Sequence, residues 1–425
     1  MAEASVTEIV ATTLFALAIL HTFASSYLAH LGARFPAHAG LWHLLGEVEV
    51  VFGLWGGALI VFMFFSTGRE QAQAYVDSRH FTEPMFVFAV MVVAASRPIT
   101  SSVRDGVRRL ARWVAKPLKV EEPLALYFLT LAVIPLSGSL ITEPAAMTLA
   151  ALMLRDTFLS HTMPQRVKYA TLGVLFVNVS VGGVLTPYAA PPVLMVANTW
   201  NWGLAFMLTT FGWRSVLVVL INAFVVSYLF REVLVKRARE PLADDTPIPS
   251  LVRLIHFLFL AGIVYFSHHP AIFIPLLLFF LGFAAAYPHF QNKLLMLRES
   301  MLVAFFLGGL VVLGGMQTWW LQPLLSGMSP NLLFWGATAL TAITDNAALT
   351  YLGSLVEGTD AAFHYSLVAG ALVGGGLTVI ANAPNPAGFA ILKSCFEDAS
   401  VNPIKLFLAA LGPTLVAALV FFIGS

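Results

Sequence analysis

The sequence predicts an all-α polytopic membrane protein of two inverted-topology repeats, each with five spans, one re-entrant hairpin and one discontinuous helix. Three observations predict it: an apolar composition, a one-sided distribution of basic residues, and two motifs that recur in the same order. Of 425 residues, 59% are hydrophobic and 11% charged, and the mean hydropathy is +0.84. A soluble domain carries about 25% charged residues, whereas one membrane span needs roughly 20 apolar ones. The formal net charge of +1 offers nothing to nucleic acid. The single cysteine, Cys395, excludes an internal disulfide and a cysteine metal cluster. The opening "MAEASVTEIV" has no basic region and no small-residue cleavage site, so the first apolar run is expected to stay as a span.

Apolar runs of spanning length lie near residues 8–29, 43–66, 81–99, 166–197, 212–230, 251–267, 270–287, 299–316, 362–392 and 403–424. Two more, near 123–157 and 330–357, are interrupted by polar residues midway. If both interrupted runs turn back as hairpins, the basic residues sort onto one face. That face receives Arg34, the seven from Arg97 to Lys119, Arg155, Arg166, Lys168, the five from Arg231 to Arg253, Lys293, Arg298, Lys393 and Lys405. The other keeps Arg69 and Arg79, with Arg214 near a span start. The positive-inside rule makes the rich face cytoplasmic and puts both termini outside. Five spans per half is an odd number, so the second half is inverted relative to the first.

An inverted duplication leaves echoes. "ITEPAAMT" (Ile141–Thr148) matches "ITDNAALT" (Ile343–Thr350) at five of eight positions, and Glu143 is answered by Asp345. Further on, "VGGVLTPYAAPP" (Val181–Pro192) echoes "VGGGLTVIANAPNP" (Val373–Pro386). Gly and Pro at these densities cannot continue an ordinary helix. Irregular backbone at membrane depth is tolerated where it is buried in protein or lines a cavity, and broken helices at matching places in two inverted halves point to a transporter's midplane site. The expected division is 1–122 first scaffold spans and arm, 123–230 first hairpin and broken helix, 231–250 cytoplasmic linker, 251–329 second scaffold spans and arm, and 330–425 second hairpin, broken helix and last span.

At these residues the chain resembles the ion transporter superfamily. "LITEPAAMTLAALML" and "TAITDNAALTYLGSL" stand where its dicarboxylate/sodium symporters carry Ser-Asn-Thr hairpin tips, and the two glycine-rich stretches stand at its helix breaks. The Asp-Asn pair Asp345–Asn346 is more similar to the NhaD-type sodium/proton antiporter branch. The resemblance covers both halves from about Pro123 onward. It implies a scaffold and a transport domain, a homodimer, elevator-type motion, and an inner (plasma) membrane protein of a bacterium. "SSVRDGVRRLARWVAKPLK" (Ser101–Lys119) and "QTWWLQPLLSGMSP" (Gln317–Pro330) would be connecting arms or simple interfacial anchors.

Each tip reads as the start of a half-helix, with Thr142 or Thr344 as N-cap and the acid in the first turn. A helix N-terminus favours an anion, and an uncharged tip leaves that field free for a dicarboxylate. Here each tip places its own carboxylate there, which repels a dianion and suits a hard cation with oxygen ligands, Na+ first among them. A desolvated carboxylate also takes a proton when the cation leaves, and that competition is sufficient for exchange of Na+ against H+. The expected cation and proton ligands are therefore Asp345, Glu143, Asn346, Thr344 and Thr142, with Glu143 and Asp345 holding the metal ion itself. Thr186, Thr378, Asn382 and Asn385 of the unwound stretches are expected to add oxygens. No cofactor is expected beyond the transported ion, and the expected partners are membrane lipid and a second copy.

Blander readings stand beside these. Glu143 and Asp345 would merely cap their half-helices, and the threonines and asparagines would satisfy loose backbone. Asn178 and Ser180 have apolar counterparts, Gly370 and Leu372, so they would make the two halves unequal. Glu47 and Glu49 lie one to two turns into the second span and are read as interfacial or as a proton path, and His21 as a packing residue. Arg97 and Lys393 would snorkel from span ends. A sodium-coupled organic-anion symporter on the same fold is the alternative function. An enzyme is not expected, because "HLLGE" (His43–Glu47) lacks the His-Glu-x-x-His zinc pattern.

Overall fold

The computed structural model describes residues 4–239, 247–291, 297–397 and 400–423, and every regular element among them is helical. Lys293 and part of the expected linker, 240–246, lie outside the described residues. Local chemistry starts the helices. Ser5 and Glu8 form a reciprocal capping box ahead of Val6–Arg34. Proline occupies the first turn of Arg97–Leu118, Glu122–Ile141, Glu143–Thr157, Pro191–Ala197, Pro330–Thr341, Asn385–Leu392 and Pro403–Phe422, where its missing N–H costs nothing.

Seven described helices are long and apolar enough to cross a membrane, or eight if Thr82–Ala94 and Arg97–Leu118 count as one span bent by 63°. The chain is an integral membrane protein. The remaining expected runs are helical but shorter or interrupted: Ser250–Tyr265 has 16 residues, Pro270–Ala286 has 17 and Ala361–Gly374 has 14. The run near 43–66 breaks at Gly46 into Ala39–Leu45 and Val48–Ser66. Glu47 and Glu49 therefore stand at a helix start, not one to two turns inside a span, which corrects their expected depth.

The helices pack in two groups. Val6–Arg34, Val48–Ser66, Thr82–Ala94, Ser250–Tyr265, Pro270–Ala286 and Leu297–Gly314 pack against one another. Within this group Val48–Ser66 and Leu297–Gly314 cross closely, because a Cβ on Gly56 would lie 3.2 Å from the Gly309 Cα. The second group holds the two helical hairpins, the two broken helices, Leu204–Leu229 and Pro403–Phe422. This second group contains the candidate site.

Candidate functional site

Each expected hairpin is two helices joined by a short connection, but the connections differ. In the first, Glu122–Ile141 is followed by Thr142 alone and then by Glu143–Thr157. In the second, Pro330–Thr341 is followed by residues 342–345 and then by Asn346–Ser354. At 1.5 Å per residue the 12- and 9-residue arms of the second reach roughly 18 and 14 Å, too short to cross. The first arm of the first hairpin departs from the expected non-crossing path: with 20 residues, Glu122–Ile141 is one of the seven described helices long and apolar enough to cross a membrane.

The unequal turns shift the two acids out of register. Glu143 is the first helical residue of its arm, whereas Asp345 is the N-cap of its own and Asn346 takes the first helical place. Asp345 accepts from the Ala347 and Ala348 amides at 2.8 and 3.2 Å. Thr344 is therefore not the cap that the sequence led us to expect; its hydroxyl donates to the Leu340 carbonyl at 2.9 Å. Thr142 does stand at the cap position but makes no capping bond, and its backbone sits at φ 73° and ψ 151°. A β-branched residue rarely adopts that conformation, which costs about 1–3 kcal/mol.

The breaks fall where glycine and proline predicted them. Gln165–Gly182 gives way to a 3-10 turn, Gly183–Leu185, and resumes as Pro191–Ala197; Ala361–Gly374 resumes as Asn385–Leu392. Thr186 donates to the Ser139 carbonyl at 2.6 Å and Thr378 to the Ala342 carbonyl at 2.8 Å. Each carbonyl lies four residues before the first helical residue of the second arm, Glu143 or Asn346. Ser139 is a residue that sequence reasoning missed. Besides that carbonyl, its hydroxyl donates to the Gly182 carbonyl at 2.8 Å and accepts the Leu185 amide at 2.9 Å. Its polar "SGS" setting inside an apolar arm was the available signal.

The hairpins then dock crosswise. Glu143–Thr157 packs on Asn385–Leu392 of the second break, and Asn346–Ser354 packs on Pro191–Ala197 of the first. This brings the Asn382 amide to 2.9 Å from one Glu143 oxygen, Oε2. The Asn346 amide N–H donates to the Ala381 carbonyl at 3.1 Å. Gly183 gives Glu143 its room, since a Cβ there would overlap the carboxyl group. Gly375 does the same for Asn346 and Ser180. The Asn385 side chain donates to the Gly375 and Thr378 carbonyls at 2.8 Å each, and Ser180 ties the two breaks together through the Leu372 carbonyl at 2.8 Å.

What remains is a set of buried polar atoms, mostly oxygens, without a hydrogen-bond partner in the protein. Glu143 is 0% exposed, and its Oε1 has no hydrogen-bond partner; neither do Asn382 Oδ1, Asn385 Oδ1, Thr142 Oγ1, Thr341 Oγ1, or the Oδ1 and Nδ2 of Asn346. Most buried polar groups are paired, and an orphan costs about 1–3 kcal/mol. Neither Glu143 nor Asp345 is in an ion pair among the described residues. An oxygen-rich cluster whose carboxylates are in no ion pair can hold a small hard cation or a proton. No group of three or more His, Cys, Asp or Glu side chains among the described residues is arranged for a metal centre.

The other candidates are committed elsewhere. Asn178 donates to the Leu131 and Val219 carbonyls and accepts from Asn222 at 3.0 Å. Glu47 pairs with Arg298 at 2.7 Å. The His21 ring is engaged by the Leu45 carbonyl at 2.9 Å and by the Trp55 indole N–H at 3.2 Å. Arg97 donates to the His289 carbonyl at 3.3 Å.

No curated protein matches the chain. The sequence profile of the family described as "Putative Na+/H+ antiporter" matches residues 6–424. With nearly its whole length matched, this apolar, helical chain belongs to that Na+/H+ antiporter family.

Proposed function

We propose that the protein is a secondary active transporter, not an enzyme, and that it exchanges Na+ for H+ at the pocket between the two hairpin tips and the two helix breaks. The observation that carries the reading is the buried Glu143 carboxylate, held on one oxygen by Asn382 and unpartnered on the other. Na+ binding would use Glu143 Oε1 with the free amide oxygens of Asn382, Asn346 and Asn385, and Asp345 would supply the second negative charge. Leaving a bare carboxylate buried costs several kcal/mol, so the empty pocket gains most by taking a proton. One site that must hold either H+ or Na+ exchanges the two.

In this reading the hydroxyls of Thr186 and Thr378 fix the hairpins to the breaks, and Thr142 and Thr344 shape the turns. The two halves form an inverted repeat on an ion transporter superfamily plan, with the hairpins re-entrant and both termini outside the cytoplasm of a bacterial inner membrane. The first helix group is the scaffold, the second moves as an elevator, and the protein works as a homodimer. The carboxylates at the tips count against a dicarboxylate substrate, because they occupy the field that would attract one.

Proteoliposomes with an internal pH indicator test the proposal. Imposed Na+, Li+ and K+ gradients should give a pH change with Na+ above K+, and an equal gradient of a dicarboxylate should give none. A response to dicarboxylate with none to Na+ would move the protein to the symporter reading.

A further inference from the structure

The helix Arg97–Leu118 carries six of the chain's 23 basic residues, and Lys119 at its C-cap makes a seventh. Toward its start the charges are internally answered in part. Arg253 of the Ser250–Tyr265 helix pairs with Asp105 at 3.0 Å, and Arg104 lies 4.0 Å from the same carboxylate. Toward its end, Arg109, Arg112, Lys116 and Lys119 are all exposed, and none of their side chains is in an ion pair or hydrogen bond among the described residues. These four line one concave surface of about 840 Å³, in which Glu122 is the single acid.

Apolar groups stand beside the cations. Trp113 is 83% exposed and lines the same surface, and Leu118 is 65% exposed. The opposite face of the helix is buried through Ile99, Val107, Ala111 and Ala115, against the Glu122–Ile141 and Ser250–Tyr265 helices. The helix is bent by 63° from the apolar Thr82–Ala94 segment, so it leaves the direction in which that segment runs. Unanswered cations beside an exposed indole and leucine are the combination that suits the border between phosphate headgroups and acyl chains.

From this juxtaposition we infer that Arg109, Arg112, Lys116 and Lys119, with Trp113, form a binding surface for anionic phospholipid headgroups of the surrounding bilayer. Two arginines present planar forks that suit phosphate oxygens in pairs, and two lysines add point charges. Clusters of four or more cations on such a helix recognise anionic lipid. The charge excess favours phosphatidylglycerol over phosphatidylcholine, because only the former brings a net negative charge to the surface.

The test uses the detergent-purified full chain, with thermal unfolding followed while short-chain phosphatidylglycerol, phosphatidylcholine or inorganic phosphate is titrated in. The wild type should gain stability with phosphatidylglycerol and much less with the other two. In the R109Q/R112Q/K116Q/K119Q variant the apparent affinity for phosphatidylglycerol should fall by at least about tenfold. The charge-preserving R109K/R112K variant should keep most of the response, and R237Q/R239Q, in a separate basic pocket at Ser160–Thr162, should keep all of it. An unchanged affinity in the quadruple variant would overturn the inference. So would an equal response to phosphatidylcholine, or to phosphate alone. If the quadruple variant is too unstable to titrate, K116Q/K119Q carries the same comparison with a smaller expected loss.

Discussion

Glu143 and Asn346 occupy the same place in their two hairpins, the first helical residue of the second arm, although Glu143 aligns with Asp345 in the sequence. One hairpin thus aims a carboxylate at the unwound backbone, and the other aims an amide. The two acids consequently have separable roles, and the predictions below separate them.

Glu143→Gln keeps the shape and the Asn382 contact through the amide oxygen while removing the charge. Cation-driven pH change in proteoliposomes should drop to background, and the purified protein should unfold at or above the wild-type temperature, since a buried charge has been removed. Exchange at wild-type rate in this variant would remove Glu143 from the mechanism.

Asp345→Asn and Asp345→Ala differ usefully. Asparagine still caps, so its thermal midpoint should match wild type, whereas alanine loses the bonds to the Ala347 and Ala348 amides and about 1 kcal/mol. If the charge serves the cation, both variants lose Na+ affinity equally. If Asp345 only caps the helix, D345N transports normally.

Asn382→Ala leaves the Glu143 carboxylate without its donor. The cost should be about 1–3 kcal/mol in thermal or denaturant unfolding. The carboxylate also becomes harder to keep ionised, so the pH at which exchange switches on should rise. A pH series of Na+ exchange reads this directly, and an unshifted profile would refute it.

Gly183→Ala places a methyl group where the Glu143 carboxyl group lies. The side chain must swing away, and the Na+ concentration for half-maximal exchange should rise at least tenfold with little loss of folded protein. Gly40→Ala, where an added Cβ meets nothing within 4 Å, is the matched control.

Thr142→Gly relieves the positive φ and should raise the thermal midpoint, because about 1–3 kcal/mol of strain outweighs the roughly 0.5–1 kcal/mol entropic cost of glycine. A fall in the midpoint would show that the Thr142 side chain does more than shape the turn.

Much of this layout was legible in the residues. The glycines and prolines at 182–192 and 374–386 marked the helix breaks because backbone chemistry alone forbids continuation there. The acids at 143 and 345 marked the tips because charge inside an apolar run demands a reason. The one-residue against four-residue turn was not legible: "ITEPAAMT" and "ITDNAALT" match without a gap, and only the backbone path shows where the preceding helix stops. The sequence marks Asn382 as an oxygen ligand, yet its bond to Glu143 uses the amide nitrogen, a choice set by the facing carboxylate. Thr186 and Thr378 proved to tie carbonyls in the hairpins, a pairing between segments that no local pattern encodes.

The bond from Asn382 to Glu143 spans 239 residues of chain. Ribosomes add about 5–20 residues per second, so the glutamate waits roughly 10–50 s after its own synthesis before its partner exists. Throughout that interval the Glu143 carboxylate lacks its Asn382 donor. Pocket assembly is therefore a late step of biogenesis, closed only when the final quarter of the polypeptide has been threaded into place.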